Sequence, residues 1–371
     1  MTRILAYSIA LLLAVFLSAA VILTLFFTSE IDNWLTVNDP VEAQVLIVEG
    51  WTAPGTAGEA AMAYTRGNYD YLITTGGPLD EVYNMSQNGR IRFDLNAAGI
   101  EWSAGDTVSV SLYAFGEPAA GEYARYTIIH REDTIGRDYT TARMERYVHN
   151  YIVGDDPAGV IYVAFDNDFV TDDEDRNLHL WKLESSGITI PVRSDHTWLE
   201  RRSGSGIRDR PLHQRTLAEE KAFQLIRSGI DSSRIVVLEV PFVSRLRTFT
   251  DAVMVNEWFR KTGETPSAVN VFSQGNHARR SRELYKKALP DSVRVGIIAS
   301  GSRSGIVFYN LDIGPLRELG AYIYTRMFLN SGRQYRRIIG KNSRGDNNIT
   351  HGQHRNNAGQ VTGREETDNQ L

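Results

Sequence analysis

Residues 160–184 read VIYVAFDNDFVTDDEDRNLHLWKLE, an apolar stretch, an acidic stretch and a second apolar stretch. Ile161, Val163 and Phe165 alternate with Tyr162 and Ala164, which is the period of a half-buried β-strand. The closing part carries leucines at 178, 180 and 183 among polar and aromatic side chains, and this pattern also indicates a strand. The stretch therefore predicts two strands joined by an acidic loop.

The loop between these strands concentrates negative charge that a bound cation would neutralise. Calcium takes about 6–8 oxygen ligands from flexible loops, so a carboxylate-rich loop favours calcium as a cofactor. The alternative is a solvated acidic hairpin tip, because short acidic motifs also occur without a metal. The acidic side chains of the loop are Asp166, Asp168, Asp172, Asp173, Glu174 and Asp175.

The order of residues in the loop resembles that of the calcium-dependent xylan-binding carbohydrate modules. The likeness lies in Phe165-Asp166-Asn167-Asp168 and in Glu174-Asp175-Arg176-Asn177-Leu178, within a region of about 91–192. The resemblance implies a β-sandwich with calcium at its edge, where the metal contacts vicinal sugar hydroxyls. It also implies a polysaccharide partner, either xylan-like or another β-glycan. The metal ligands that it implies are Asp168, Asp172, Asp173 and Asp175.

Residues 81–200 show strand patterns only. The run DTVSVSLYAF at 106–115 alternates, and the stretches at 122–130 and 143–152 are similar, with glycines between them. This pattern is typical of a β-sandwich. We therefore expect residues 81–200 to form an inserted all-β domain, and the resemblance to the xylan-binding modules implies that it is a carbohydrate-binding module.

The flanking stretches, 41–80 and 201–329, alternate between strands and helices. VLIVE at 45–49 is a continuous apolar strand, as in a parallel sheet covered on both faces. Strand, helix and strand in succession form the crossover unit of such a sheet. The pattern predicts an α/β fold, a Rossmann-like open parallel sheet of about five strands, two before the insert and three after it. The predicted strands lie at 45–49, 70–75, 234–240, 268–273 and 293–299, and the predicted helices at 58–66, 212–227, 249–262, 276–289 and 316–329.

The first residues predict a membrane segment. Residues 4–27 are almost wholly apolar and uncharged, and a membrane-spanning helix needs about 20 such residues. Arg3 precedes the run, and Glu30 and Asp32 follow it, so the positive-inside rule places the body outside the cytoplasm. We expect a transmembrane helix at 4–27 in the inner or cytoplasmic membrane, with a single pass and a periplasmic body. Cleavage of the segment as a signal peptide near Ser18-Ala19-Ala20 is the alternative.

Composition limits the classes of protein that fit. The net charge of −5 argues against a general nucleic-acid binder. The chain has no cysteine, so it has neither disulfides nor a zinc-thiolate site. Residues 330–371 are polar and rich in Gly, Asn, Arg and Gln, which predicts a disordered tail.

The ends of the predicted parallel strands indicate a ligand site. In open α/β sheets, ligands bind beyond the carboxyl ends of the strands, and glycines there allow close approach to the backbone. The stretch 273–280 runs into a helix N-terminus, which suits an anion, and its basic side chains strengthen that preference. The alternative interpretation is that Arg279 and Arg280 lie on a solvated helix face and that His277 is a simple residue of the helix cap region. The predicted ligand residues are Glu49, Gly50, Gly76, Gly77, Thr248, Ser273, His277, Arg279 and Arg280.

These strand ends are similar to the YdcF/SanA/ElyC-like domain of bacterial envelope proteins. The likeness lies in the stretches 45–51, 72–77 and 271–280, with Thr248 and Asp251. Glu49-Gly50-Trp51 departs from the family's more usual Gly-rich turn, and the insert separates segments that the family keeps close. The resemblance implies a role in the envelope and a nucleotide-like ligand.

Three classes of function remain open. The first is a membrane-anchored protein that binds carbohydrate with calcium and holds an anionic ligand in its α/β domain. The second is an enzyme, a hydrolase or transferase acting on a glycan or a lipid-linked envelope precursor, with the β insert delivering substrate. The third is a purely structural role. Ser273 with His277 is the one nucleophile–base pair that the sequence offers at the strand ends.

Overall fold

A computed structural model describes residues 29–155, 157, 159–203, 206–301, 307–308, 311–312, 314–329, 332–334 and 336–338. Its strands are β1 Val45–Glu49, β2 Tyr71–Gly76, β3 Tyr83–Met85, β4 Gly89–Asp94, β5 Thr107–Gly116, β6 Arg125–His130, β7 Asp133–Tyr139, β8 Glu145–Ile152, β9 Val160–Phe165, β10 Leu178–Ser185, β11 Ile188–Pro191, β12 Thr197–Ser203, β13 Gly206–Pro211, β14 Ile235–Glu239, β15 Ala268–Gln274, β16 Arg294–Ser300, β17 Val307–Phe308 and β18 Leu311–Asp312. Its α-helices are α1 Ala57–Arg66, α2 Leu217–Arg227, α3 Arg247–Thr262, α4 Ala278–Ala288 and α5 Gly314–Met327.

A parallel sheet of five strands runs in the order β14-β2-β1-β15-β16. Its central strand, β1, pairs in parallel with β2 on one side and with β15 on the other. All five residues of β1 are buried, as expected for a strand whose sheet is covered on both faces. The sheet therefore brings together two strands from before residue 80 and three from after residue 230.

Helices cover both faces of this sheet. On one face, α3 and α4 pack Phe249, Phe259 and Leu284 against Ile47 and Val271. On the other face, residues of α1 and α2 pack against alternate residues of the same strands, among them Leu46, Val48 and Leu72. Neighbouring residues of a strand point to opposite faces, so a wholly apolar strand supplies two cores at once.

The strands between β2 and α2 form two further sheets. One runs β11-β10-β5-β8 with β3 beside β10, and the other runs β13-β12-β4-β9-β6-β7. All of the pairings in these two sheets are antiparallel. One apolar cluster draws residues from both sheets, including Phe93 and Val163 of one and Leu112 and Leu180 of the other. The two sheets thus face each other across a shared core.

The parallel sheet and the antiparallel sheets meet where the chain enters and leaves the insert. Pro78 bridges to Thr216, and the Leu79 backbone N–H donates to the Arg215 carbonyl at 2.8 Å. Strands β12 and β13 carry the antiparallel arrangement on to Pro211. The helix α2 begins later than residue 212, because Thr216 and Glu219 form a capping box at its start. The division of the chain into domains stays a prediction.

Two predictions need correction. The fold class was predicted as α/β with a transmembrane helix, but of the eighteen strands in the described residues only five form the parallel sheet, so antiparallel sheets predominate. In that same part of the chain, no helix is long and apolar enough to cross a membrane. The prediction of a single-pass protein of the inner or cytoplasmic membrane is wrong on this finding. Residues 4–27 and most of the predicted tail at 330–371 lie outside the described residues.

Candidate functional site

A cavity of about 780 Å³ lies at the carboxyl ends of the parallel strands, and we call it the strand-end cavity. Residues that follow β1, β2, β14 and β15 all contribute to it. Open α/β sheets place their ligand crevice at this edge. The lining residues are Trp51, Gly76, Gly77, Pro78, Leu79, Asp80, Leu217, Val240, Pro241, Phe242, Val243, Ser244, Arg245, Leu246, Arg247, Thr248, Asp251, His277, Arg280, Leu284 and Arg317.

Five of the nine predicted ligand residues line this cavity: Gly76, Gly77, Thr248, His277 and Arg280. They come from three separate stretches of the chain, and the parallel sheet brings them together.

Glu49, Gly50 and Ser273 lie beneath the cavity rather than on its wall. Glu49 and Ser273 are fully buried. The Ser281 hydroxyl lies 2.9 Å from Glu49 Oε1 and 3.1 Å from the Ser273 hydroxyl. Ser273 therefore bonds to a second serine and not to His277, so the predicted pair of Ser273 with His277 does not form.

Gly50, which follows β1, and Gly76, the last residue of β2, allow close packing against helix α2. A Cβ at Gly76 would lie 2.6 Å from Leu217 Cβ and 2.9 Å from the Ala218 nitrogen. A Cβ at Gly50 would overlap the Thr75 carbonyl oxygen and would lie 2.7 Å from the carbonyl oxygen of Leu217, the first residue of α2. At Gly77, in contrast, the nearest atom is the Val240 oxygen at 3.4 Å, which is ordinary contact. Gly50 and Gly76 thus serve packing, while Gly77 leaves room at the cavity wall.

Two buried carboxyl groups lie close to the cavity, and burial favours their neutral forms. Burial raises the pKa of Glu49, although the nearby His277 and the serine hydroxyls oppose the rise. Burial raises the pKa of Asp251 well above its usual value, and the charge of Glu49 adds to the effect. Burial also raises the pKa of Tyr285 well above its usual value, and the negative charges of Glu49 and Asp251 add to the rise. Because neutral carboxyl groups repel anions less, this environment reduces the negative charge beneath the cavity.

His277 is held on the cavity wall by α5. Its Nδ1 lies 3.1 Å from Glu318 Oε2, and its Nε2 lies 3.4 Å from the Thr248 hydroxyl. Arg280 Nε donates to the same Glu318 oxygen at 2.9 Å. Burial alone would raise the pKa of Glu318, but the hydrogen bonds and charges of His277 and Arg280 outweigh it and hold that pKa at about 2. The carboxylate is therefore ionised at neutral pH.

Positive charge predominates on the cavity wall. Four arginines line it with two acidic side chains, Asp80 and Asp251, and Glu318 pairs with two of the arginines, Arg280 and Arg317. The indole Nε1 of Trp51 is buried, and it has no hydrogen-bond partner within the described chain. The arginines of the wall are Arg245, Arg247, Arg280 and Arg317.

Sequence reasoning missed several of these residues. Arg245 and Arg247 follow β14, so the rule that ligands bind at strand ends would have found them. Arg317 and Glu318 belong to α5, which reaches the cavity through its packing on α4 and on the turn Gly275–His277. No local pattern in the sequence marks that contact.

Arg279, the ninth predicted ligand residue, does not line the cavity. Its guanidinium carbon lies 3.9 Å from the centroid of the Trp34 ring, and its Nε donates to the Trp34 carbonyl at 2.7 Å. Trp34 in turn packs edge-on against Tyr322 of α5. Arg279 therefore joins α4 to the segment before β1.

The acidic loop after β9 is ordered by an arginine. Arg176 is 5% exposed and donates to the carbonyls of Ala119, Glu122 and Asn167. Burying a cation in this way requires such partners, because an unpaired buried charge is costly.

The four predicted metal ligands are not gathered by the loop. Asp172, Asp173 and Asp175 are exposed, and Asp168 is partly buried with its Oδ1 lacking a hydrogen-bond partner among the described residues. In that part of the chain, no three acidic or histidine side chains lie close enough together to hold a metal ion. Calcium stays a prediction.

Comparison with known proteins finds little likeness. No family model matches the chain, and no curated protein matches it. The resemblances to the YdcF-like domain and to the xylan-binding modules therefore stay predictions.

Three solved structures share a slight likeness with the chain. One, titled "CBM4 structure and function", is 16% identical over 25% of this chain and 57% of that chain, with a TM-score of 0.16. The glycosylation-associated Gap123 complex from Streptococcus agalactiae is 11% identical over 70% of this chain and 77% of that chain, with a TM-score of 0.17. A family two carbohydrate esterase from Cellvibrio japonicus is 10% identical over 68% of this chain and 83% of that chain, with a TM-score of 0.18. At such TM-scores none of them carries an argument about function.

Proposed function

We propose that the protein binds an anionic small molecule in the strand-end cavity. The observation that carries the proposal is the set of four arginines on the cavity wall. Glu318 pairs with two of them, Arg280 and Arg317, and the acidic side chains of the wall itself are Asp80 and the buried Asp251. Arginine donates to carboxylate and phosphate oxygens in a planar, two-pronged geometry, so a group of them favours such a ligand.

Two further features support an anion at this place. Helix α3 begins at Arg247 and α4 at Ala278, and the first backbone N–H groups of a helix lack intrahelical partners. Thr248 and His277, which line the cavity, belong to these helix starts. The unpartnered Trp51 Nε1 adds a donor to the same wall. Donors therefore predominate over ionised acceptors around the cavity.

Calorimetric titration of the full chain tests this function. The probes are inorganic phosphate and a nucleoside diphosphate, the second of which represents the nucleotide-like ligand that the YdcF-like resemblance implies. A hydrogen bond to a charged group contributes about 1.5–3 kcal/mol, so Arg247→Gln or Arg280→Gln is expected to weaken binding by roughly 10- to 100-fold.

Arg279→Gln is the matched control, because Arg279 neighbours Arg280 on α4 but packs on Trp34 outside the cavity. Equal affinity in all three variants, or no affinity of the wild-type chain for either probe, would contradict the proposed function.

A second candidate function is calcium-dependent binding of a β-glycan by the acidic loop. The observation that favours it is Asp168, whose Oδ1 is buried without a hydrogen bond from any described residue while its backbone N–H donates to Asn88 Oδ1 at 2.9 Å. A buried carboxylate oxygen without a donor is a costly arrangement, and a cation would relieve the cost. The exposed aspartates 172, 173 and 175 would then have to close around the ion.

Retention of the full chain on xylan, with calcium and with a chelator, tests this second function. Calcium sites of extracellular type bind with dissociation constants of about 10⁻⁴–10⁻³ M, so millimolar calcium is the condition to use. Asp168→Ala and Asp175→Ala are expected to lose retention, while Asp195→Ala, an exposed aspartate outside the loop, keeps it. Retention that persists in the chelator would rule out the loop as a calcium-dependent site.

A further inference from the structure

Three side chains form a continuous series of contacts on the wall of the strand-end cavity. The Thr248 hydroxyl lies 3.4 Å from His277 Nε2, and His277 Nδ1 lies 3.1 Å from Glu318 Oε2. A hydroxyl, an imidazole and a carboxylate in this order are the groups of an activated nucleophile. The spacing of the first pair is loose, as is common before a substrate is bound.

Glu318 is placed to set the orientation of the imidazole. It is 5% exposed and ionised, and its Oε2 also accepts from Arg280 Nε at 2.9 Å. Trp51 packs edge-on against the His277 ring, with 4.5 Å between ring centroids. The ring is thus fixed on two sides, with Nε2 on the side of Thr248.

The protonated nitrogen of His277 decides whether Thr248 is activated. Nδ1 lies 3.1 Å from the Glu318 carboxylate and 2.9 Å from Arg280 Nη2, and these two contacts require opposite tautomers. Both contacts are charge-assisted, since the carboxylate and the guanidinium are both ionised, and general-base action by His277 requires the tautomer in which Nδ1–H donates to Glu318. That tautomer leaves Nε2 free to accept the Thr248 proton.

The start of α3 offers backbone donors beside Thr248. Thr248 is the second residue of this sixteen-residue helix, and the first N–H groups of a helix lack intrahelical acceptors. Leu246, immediately before the helix, has φ of 59°, a left-handed conformation that a leucine rarely adopts. Backbone strain of this kind persists where the surroundings impose it, and it concentrates at functional sites.

We propose that the strand-end cavity is a catalytic site in which Thr248 attacks the carbonyl carbon of an ester that carries an anionic group. The proposal rests on the anion-binding function proposed above, since the arginines hold the anionic group. Thr248 and His277 are the catalytic residues, and Glu318 is a positioning residue.

The reaction balances without an oxidant or reductant. Thr248 Oγ forms a bond to the carbonyl carbon as its proton passes to His277 Nε2. The bond to the leaving oxygen then breaks, and His277 returns the proton to that oxygen, which releases an alcohol. Water attacks the acyl group on Thr248 with His277 again taking a proton, and this step releases a carboxylic acid and restores the threonine hydroxyl.

Covalent labelling of the full chain with a fluorophosphonate tests the proposal. This probe forms a phosphonyl ester with an activated hydroxyl and expels fluoride, and mass spectrometry locates the adduct. The expected adduct is on Thr248. Thr248→Val, which keeps the shape of the side chain, abolishes labelling, and His277→Ala slows it about 100-fold, since general-base catalysis contributes roughly 10²–10⁴-fold.

Thr262→Ala is the control variant, because Thr262 is an exposed threonine at the far end of the same helix, and its labelling rate is expected to equal that of the wild type. Glu318→Gln should slow labelling at least about tenfold and shift the ¹⁵N resonances of His277 towards the other tautomer, an effect that a merely structural role would not produce.

No adduct on Thr248, an adduct only elsewhere, or a rate unchanged in His277→Ala would overturn the proposal. Phosphate titration of the same samples separates the two conclusions. If the chain binds phosphate but is not labelled, the result supports the anion-binding function and overturns the catalytic proposal. If the chain is labelled but binds no phosphate, the result supports the nucleophile and overturns the anion-binding function.

Discussion

The strand-end cavity and the acidic loop after β9 are two charged regions with opposite organisation. The cavity gathers arginines, His277 and Asp251 from strand ends and helix starts that lie far apart in the sequence. The loop holds six acidic side chains within ten residues, yet its aspartates at 172, 173 and 175 point into solvent.

The difference shows that a dense run of like charges does not by itself assemble a site. Like charges repel, so they separate unless a rigid framework or a cation holds them together. The parallel sheet provides a rigid framework for the cavity, because four adjacent strands end at one edge. In the loop, the organising cation is Arg176, which the chain itself supplies.

The largest expected effect is that of Arg176→Met on the acidic loop. Removing the guanidinium deletes three hydrogen bonds and leaves the Asn167 carbonyl without a donor among the described residues, while the Ala119 and Glu122 carbonyls still accept from each other's backbone N–H. Hydrogen bonds to charged groups contribute about 1.5–3 kcal/mol, so we expect a loss of roughly 3 kcal/mol in the free energy of unfolding. Urea unfolding measures it, and Arg143→Met, at an exposed arginine, is the control. If calcium restores the stability of Arg176→Met, the ion rather than the arginine organises the loop.

The ion pair of Glu318 should make the cavity wall sensitive to acid. Its pKa of about 2 lies below the ordinary 4.5, so its stabilising effect is complete above about pH 5 and is lost as the pH falls towards 2. We expect Glu318→Gln to cost on the order of 2 kcal/mol at pH 7 and nearly nothing at pH 2. A difference between wild type and variant that stays constant over this range would show that the carboxylate is not held ionised.

Gly50→Ala should destabilise the turn after β1, because the new Cβ would overlap the Thr75 carbonyl oxygen. Overpacking of this kind costs about 1–3 kcal/mol. Gly77→Ala is the matched comparison at the cavity wall, where the nearest atom lies at 3.4 Å, and its effect on thermal unfolding should be small. If Gly50→Ala and Gly77→Ala lower the unfolding temperature equally, close packing against α2 is not the reason for the glycine at position 50.

Arg279→Ala should have the smallest effect of this series. It removes the cation–π contact with Trp34, which at an exposed site contributes about 0.5–1 kcal/mol to stability. Phosphate affinity should not change, since Arg279 does not line the cavity. A loss of phosphate affinity without a loss of stability would show that Arg279 contributes to the ligand site.

Several parts of this molecule follow from local sequence alone. The five parallel strands lie within two residues of the predicted positions, because an apolar run between glycines and polar turns has few other conformations in a folded chain. The same local rules indicated the strands of the insert and placed Gly76, Gly77, Thr248, His277 and Arg280 at strand ends and helix starts.

Tertiary structure decided which of these residues meet. Ser273 and His277 are four residues apart in the sequence, yet their side chains have different partners. The Ser273 hydroxyl bonds to Ser281 beneath the sheet edge, whereas the His277 ring contacts Thr248 and Glu318. Arg279 and Arg280 are adjacent, yet a helix turns each residue by about 100° relative to the one before it, so one packs on Trp34 and the other reaches the cavity. The partner of His277 comes from α5, and no local pattern encodes a contact that forms only when that helix packs on α4.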